Sequence, residues 1–592
     1  MKNFFTSFFG AVFGVIIASV ILVIIVIASI ASSLEGVLNQ KDKTAELKPN
    51  SVLYIDFKHT ITDRTNNNSF ANFSFSSFGE KIPGLDRIVE NIKKAESDSL
   101  IKGIYLHLTE IKAGIATVEE IRNALLEFKK SKKFIYAYSE AYSQKSYYLA
   151  SAADKVFLNP QGGMEFKGLS AQIMFYKKAL EKLDVEVQIF RHGKFKSAIE
   201  PFMLDKMSAA NRLQTEVFMG SIWNSIIEGI AKQREVSKEE LNSIADNLKL
   251  KNPKDAIQLK LIDALLYEDE VQAKIRETIK VAGKQKINFI ELAEYNVPAE
   301  ELIKKKSKKD KIAVIYAVGS IESGEGDDET IGSDRIAKAI KDARLDTTVK
   351  AIVLRVNSPG GSALASDVMW REVILAKQAK PFIVSMGDVA ASGGYYIACA
   401  ADRIFAQPNT ITGSIGVFGM MPNAQKMLAE KIGITIDTVN TNKHSDVGTI
   451  FRSVTAEEHE YIQKSVEDIY NVFTSKVAEG RKMLQASVDS IGQGRVWSGT
   501  DALKINLVDE LGGLNAAITY AKQKSNLTTY EIVQYPKQKN LLDELVGKAE
   551  KETEAKILSE NLGESYKYIK HLKDLLKMKG VQARLPFEYI IY

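Results

Sequence analysis

Ser392 stands in the run Gly387-Asp-Val-Ala-Ala-Ser-Gly-Gly-Tyr395, whose small neighbours leave a hydroxyl exposed at the start of a helix. A hydroxyl so placed can act as an acyl-transfer nucleophile, given a base and donors for the oxyanion that develops. Asn357-Ser-Pro-Gly-Gly-Ser362 lies upstream, directly after an apolar strand-like run. Paired glycines there let backbone N–H groups turn towards a ligand. The oxyanion could then rest on Gly393 N–H and on an N–H from Gly360 or Gly361. Neither motif is specific alone, because Gly-rich strand-to-helix turns also bind phosphates. In this order and at this spacing they reinforce one another.

The base is sought through an internal repeat. Residues 86–196 and 334–444 align without a gap at a constant offset of 248. Asp86-Arg87-Ile88 meets Asp334-Arg335-Ile336, Tyr147-Tyr148 meets Tyr395-Tyr396, and Pro160 meets Pro408. At that offset Ser392 faces Gln144, and Lys196 faces His444. The first repeat has Thr109-Glu-Ile-Lys-Ala113 in place of the glycine loop, yet it keeps Gly193-Lys-Phe-Lys-Ser-Ala198. A period this long means whole domains, not solenoid units. One site shared between two repeats is the expectation, with Ser392 from one and Lys196 from the other. An exposed lysine is protonated at neutral pH, but burial at a domain interface disfavours the ammonium. Lys194 is the near rival as base, and Ser362 and Ser414 are read as structural or substrate-lining.

Around these residues the pattern is α/β. Apolar runs at 51–56 and 311–316 open the two repeats, each followed by a polar loop and a helix starting near Asp86 or Asp334. Further strands are expected at 101–108 and 349–356, then at 134–138 and 382–386. Short apolar strands alternating with helices indicate βαβ units and mostly parallel sheets. The division expected is 1–48 for an amino-terminal region and 49–303 for the first repeat. A basic linker follows at 304–311, then the second repeat over 312–592, closing with a carboxy-terminal helix.

Phe8 to Ile30 carries no charge and is rich in Ile and Val. It is long enough to cross a hydrocarbon core of roughly 30 Å as a helix. Flanking charge does not settle its orientation. The 592 residues are 45% hydrophobic and 26% charged, with net charge +5, which argues against nucleic acid as the main partner. The single cysteine, Cys399, excludes an intrachain disulfide and sits in an apolar run, as a packing residue would. No metal-ligand spacing or nucleotide-binding motif is found, so no cofactor and no metal are expected.

The motifs Asn357–Ser362, Ala391-Ser-Gly-Gly-Tyr395, Thr412-Gly-Ser-Ile-Gly416 and Lys194-Phe-Lys-Ser-Ala-Ile-Glu-Pro201 carry a resemblance. The chain resembles the signal peptide peptidase A (protease IV) family, in its long, tandem-domain, membrane-anchored form. The match extends to the closing Gln582-Ala-Arg-Leu-Pro586. The resemblance implies two tandem crotonase-like (Clp-protease-like) domains after one transmembrane helix. It implies a serine endopeptidase with Ser392 as nucleophile and Lys196 as general base and acid. Released signal peptides and other short apolar peptides are the implied substrates. It further implies a homotetramer in the cell inner membrane, single-pass, with the catalytic part facing the periplasm. Two other enzyme readings stay open: a Ser-His-Asp hydrolase using His444, and a crotonase-like enzyme acting on acyl-CoA. A non-enzymatic membrane scaffold is the third alternative.

Overall fold

The computed structural model describes residues 47–66, 82–281, 285–295, 310–538 and 581–585, together with Gly14 and Ile17. Apart from Gly14 and Ile17, the expected anchor lies outside these, as do residues 304–309 of the linker and the expected carboxy-terminal helix. Among the described residues no helix is long and apolar enough to cross a membrane.

In the first repeat, β1 (Ser51–Ile55), β2 (Ile101–His107), β3 (Phe134–Tyr142) and β4 (Lys155–Met164) are joined through helices. A further strand, β5 (Glu186–Arg191), leaves this sheet, while the short β6 (Ala264–Leu265) and β7 (Phe289–Glu291) close its edges. The order is β6-β4-β3-β2-β1-β7, every neighbour parallel. Central strands of such a sheet are covered on both faces, which explains the near-continuous apolar runs of β1 and β2.

The second repeat rebuilds this plan from β8 (Lys311–Val318), with β9 (Ser320–Glu322) and β10 (Thr330–Gly332) after it. Next come β11 (Val349–Ser358), β12 (Gly360–Ser362), β13 (Phe382–Ala391), β14 (Arg403–Ala406), β15 (Ile411–Gly413) and β16 (Phe418–Asn423). The remaining strands are β17 (Val496–Ser498), β18 (Glu510–Leu511), β19 (Glu531–Tyr535) and β20 (Gln582–Arg584). The main path runs β17-β15-β13-β11-β8-β19, and β14 pairs with both β13 and β18. Lys311 already belongs to β8, one residue before the expected start of the second repeat.

Equivalent residues do equivalent work in the two cores. Helix Leu85–Ser97 buries Ile88, Asn91, Ile92 and Ala95, and helix Ser333–Leu345 buries Ile336, Ala339, Ile340 and Ala343. This is the i, i+3, i+4 face of an amphipathic helix, kept at the repeat offset. Tyr147 donates to Leu261 O at 2.7 Å, and Tyr395 to Leu507 O at 2.8 Å. Cys399 is buried, and burial pushes its thiol up to about 12, as fits a packing residue.

The third sheet belongs to neither repeat alone. Its order is β10-β9-β12-β20-β16-β5, so a strand of the first repeat pairs antiparallel with β16 of the second. A buried polar cluster ties the same junction. Arg355 reaches Asp63 and Glu120 at 2.7 Å each, Asn357 donates to Asp63, and Thr117 donates to Asp388. Buried ion pairs are costly to break, since removing one partner leaves an uncompensated charge. The repeats are therefore held in one register, and the loop after β5 is aimed at β13.

Candidate active site

β13 ends in Ala390-Ala391, and Ser392 follows with φ 55° and ψ −112°, at the threshold of helix Gly393–Ala398. Positive φ is unusual for a side-chain-bearing residue and marks a constrained corner. Its backbone is pinned by Ser392 N donating to Gly413 O at 2.8 Å, which continues the pairing of β13 with β15. Ser392 is fully buried, unlike the exposed hydroxyl expected from its small neighbours. The small residues do leave room around it, but chain from elsewhere fills that room.

Part of that chain is Lys196, from the loop after β5. Its Nζ lies 2.8 Å from Ser392 Oγ, 3.2 Å from Ser414 Oγ and 3.3 Å from Ser414 O. Ser392 Oγ also stands 3.3 Å from Gly416 O, towards which it can donate. Lys196 is wholly buried, and burial alone drives its ammonium well below the ordinary lysine range. Burial is the sole cause of that shift, with no carboxylate opposing it, so the site favours the neutral amine over the ammonium.

The lysine loop is docked against the second repeat. Phe195 N donates to Gln493 O at 3.0 Å. Gly494, at φ 82°, has no side chain because a Cβ there would stand 2.6 Å from the Lys196 backbone. From helix Ala209–Arg234, Gln214 donates to Phe195 O and Ser197 Oγ and accepts from Val496 N, bridging the loop to β17. Ser414, read from sequence as structural or substrate-lining, directly holds the lysine amine. Gln214 was not legible in sequence as a site residue, and only the approach of two distant loops gives it that place.

Gly360 and Gly393 face one another beside Ser392. A Cβ built on Gly360, at φ 95°, would stand 2.7 Å from Gly393 N, and one on Gly393 would stand 3.2 Å from Gly361 N. The glycines expected to supply oxyanion donors thus lie against one another at this corner, and Gly360 N donates to Ser358 Oγ at 3.1 Å. The other candidates have contacts elsewhere. Lys194 is exposed, with Nζ over the Phe195 ring. Ser362 caps helix Ala363–Ala379. His444 sits in an exposed loop with Nδ1 2.9 Å from Glu458, and it is not a hydrogen-bond partner of Ser392.

The sequence pattern described as "Peptidase family S49" matches residues 127–282 and again 374–528, once in each repeat. The chain belongs to this family. It is 36% identical over 448 residues to "Protease 4" of Haemophilus influenzae, covering 74% of this chain and 72% of that protein. To "Protease 4" of Salmonella typhi it is 35% identical over 522 residues, covering 84% and 82% respectively. Among solved structures, a ClpP1 mutant from Listeria monocytogenes superposes with TM-score 0.25 at 15% identity, over 37% of this chain and 98% of that one. A serine peptidase of family S49 with two tandem family segments is thus the frame for the site.

Proposed function

We propose that the chain is a membrane-anchored serine endopeptidase in which Ser392 and Lys196 form a catalytic dyad. The observation that carries this is the 2.8 Å approach of a buried, uncompensated lysine amine to Ser392 Oγ. Neutral Lys196 takes the Ser392 proton while Oγ attacks the scissile carbonyl carbon. The tetrahedral oxyanion rests on N–H groups of Gly393 and of Gly360 or Gly361. Lys196, now charged, gives its proton to the leaving amine as the C–N bond breaks. Water then attacks the acyl-enzyme ester with the amine again as base, freeing Ser392. Ser414 holds the amine throughout. Released signal peptides and other short apolar peptides are the proposed substrates, on crotonase-like domains, with Phe8–Ile30 as a single-pass inner-membrane anchor and the catalytic part in the periplasm.

The proposed homotetramer has support in surfaces that the two repeats leave bare. At the repeat offset, residues 434–439 are the counterpart of β5, and residues 170–175 that of β16. Val439 is 96% exposed and Met174 46% exposed, whereas the counterpart strands β5 and β16 are paired with one another. Leu364 is 70% exposed, whereas its counterpart Ala116 is buried. A head-to-tail contact between chains, repeating the contact between repeats, would cover all three. A native mass of one chain would overturn this assembly.

The dyad is tested by Lys196→Met in the full chain. Turnover of an apolar fluorogenic peptide should vanish while the thermal midpoint at pH 7 rises. The sign follows from proton counts. Between the depressed folded value and about 10.4 the unfolded lysine holds a proton that the folded one lacks, so stability climbs with pH. Methionine removes both the burial cost and that climb. Retained turnover would refute the dyad.

A further inference from the structure

The slot beside Ser392 is already filled, and by this chain. β20 lies between β12 and β16, antiparallel to both, with Ala583 opposite Gly361 and Gln582 opposite Ser362 and Phe418. Leu585 N donates to Pro359 O at 2.7 Å, which extends the pairing past β12. The Ala583 carbonyl oxygen is placed among the active-site glycines. A Cβ on Gly360 would collide with it, and a Cβ on Gly393 would stand 3.1 Å from it. Ala583 itself is fully buried.

An extended peptide that adds to a strand edge is recognised through its main chain, with pockets for alternate side chains. β20 is bound in that manner, and it presents a small residue whose carbonyl lies beside Gly360 and Gly393. The first repeat offers a control. There Lys145, at the position of Gly393, donates to Ala113 O at 2.7 Å and reaches Ile111 O at 3.5 Å, and among the described residues no strand takes the place of β20. Among the described residues, slot and occupant occur together only in the repeat that holds Ser392.

We infer that Gln582–Arg584 is a resident pseudosubstrate, occupying the strand position that peptide substrates must take. The inference rests on the proposed peptidase reading for what enters the slot, but the occupancy is a matter of binding. A competing internal strand lowers apparent affinity by the fraction of time the slot stands open.

The test uses the full-length chain with Ala583→Asp, which puts a charge where a methyl is buried and expels the strand. If the slot is open about a tenth of the time, KM for an apolar fluorogenic peptide should fall about tenfold with kcat unchanged. Lost turnover at an unchanged thermal midpoint would mean that β20 is a structural strand, overturning the inference. A binding measurement decides the matter should that variant fold poorly. A fluorescein-labelled peptide of the sequence Val581–Pro586 is titrated into full-length Ser392→Ala, with and without Leu585→Asp. Tighter binding to the double variant, with displacement by the apolar peptide, supports the inference; equal affinity or no displacement overturns it. Binding does not need Ser392 chemistry, so a failed peptidase reading would show instead as absent turnover in every variant with the binding difference intact.

Discussion

The two repeats build the same corner and furnish it differently. In the second, Ser392 stands beside two glycines whose missing side chains let the Ala583 backbone approach. In the first, Gln144 stands at the serine position, accepting from Lys167 N and Gly168 N and donating to Gly168 O, each at 3.0 Å. Lys145 takes the place of Gly393 and fastens to carbonyls of the counterpart loop. Side chains that satisfy their own loops leave nothing for a ligand to pair with. A duplicated fold can thus lose its chemistry by filling the corner, while still supplying one residue to its neighbour. Fold and function separate within a single chain.

The sharpest way to break this comparison is to remove the two serines in turn. Ser392→Ala should lower kcat by roughly 10⁴–10⁶, as loss of a nucleophile does in serine peptidases. Ser146→Ala should leave turnover within about twofold, since Ser146 only pairs with Ser143 at the cap of helix Gln144–Ala150. Equal losses at equal thermal midpoints would sink the division of roles. A smaller effect comes from exchanging the corner residue. Gly393→Lys should cost about 10²–10³ in kcat by blocking an oxyanion donor, and Lys145→Gly should confer nothing. Turnover that survives Gly393→Lys would remove that N–H from the mechanism.

The smallest effect concerns the junction. Glu119 of the first repeat accepts from the Asn409 side chain of the second, and burial pushes its carboxyl up to about 7. Between the ordinary carboxylate range and pH 7 the folded chain holds a proton that the unfolded one has released. Stability therefore falls as pH rises through that window, and the full cost is present above it. Glu119→Gln should raise the thermal midpoint by about 2–4 °C at pH 8 and change nothing at pH 4. A gain at pH 4 equal to that at pH 8 would show that the carboxyl is not the cause.

Much of this was legible in sequence because the chain contains its own control. The α/β plan followed from apolar runs such as 101–107 and 349–356 alternating with helical faces, and those runs are parallel strands. The repeat offset separated Ser392 from Lys196 before any contact was visible, and the structure brings them to 2.8 Å. What escaped depends on the approach of remote chain. The expected exposed hydroxyl is buried, and Arg355 gives no sign in its strand that Asp63 and Glu120 await it across the junction. Gln582–Arg584 has no pattern that announces a strand. Its place is set by the edge of β12 opposite β9 and by glycines that tolerate a close backbone.

The sharing of the site between repeats also sets a clock on biosynthesis. Lys196 leaves the ribosome first, and Ser392 follows 196 residues later. At synthesis rates of about 5–20 residues per second, roughly 10–40 s separate the two. Throughout that interval the nascent chain has a base without a nucleophile. Gly416 and Gly494, which shape the lysine's seat, are made later still. A hydrolase with this layout is harmless to its own unfolded segments, and to the machinery that handles them, until the second repeat has folded against the first.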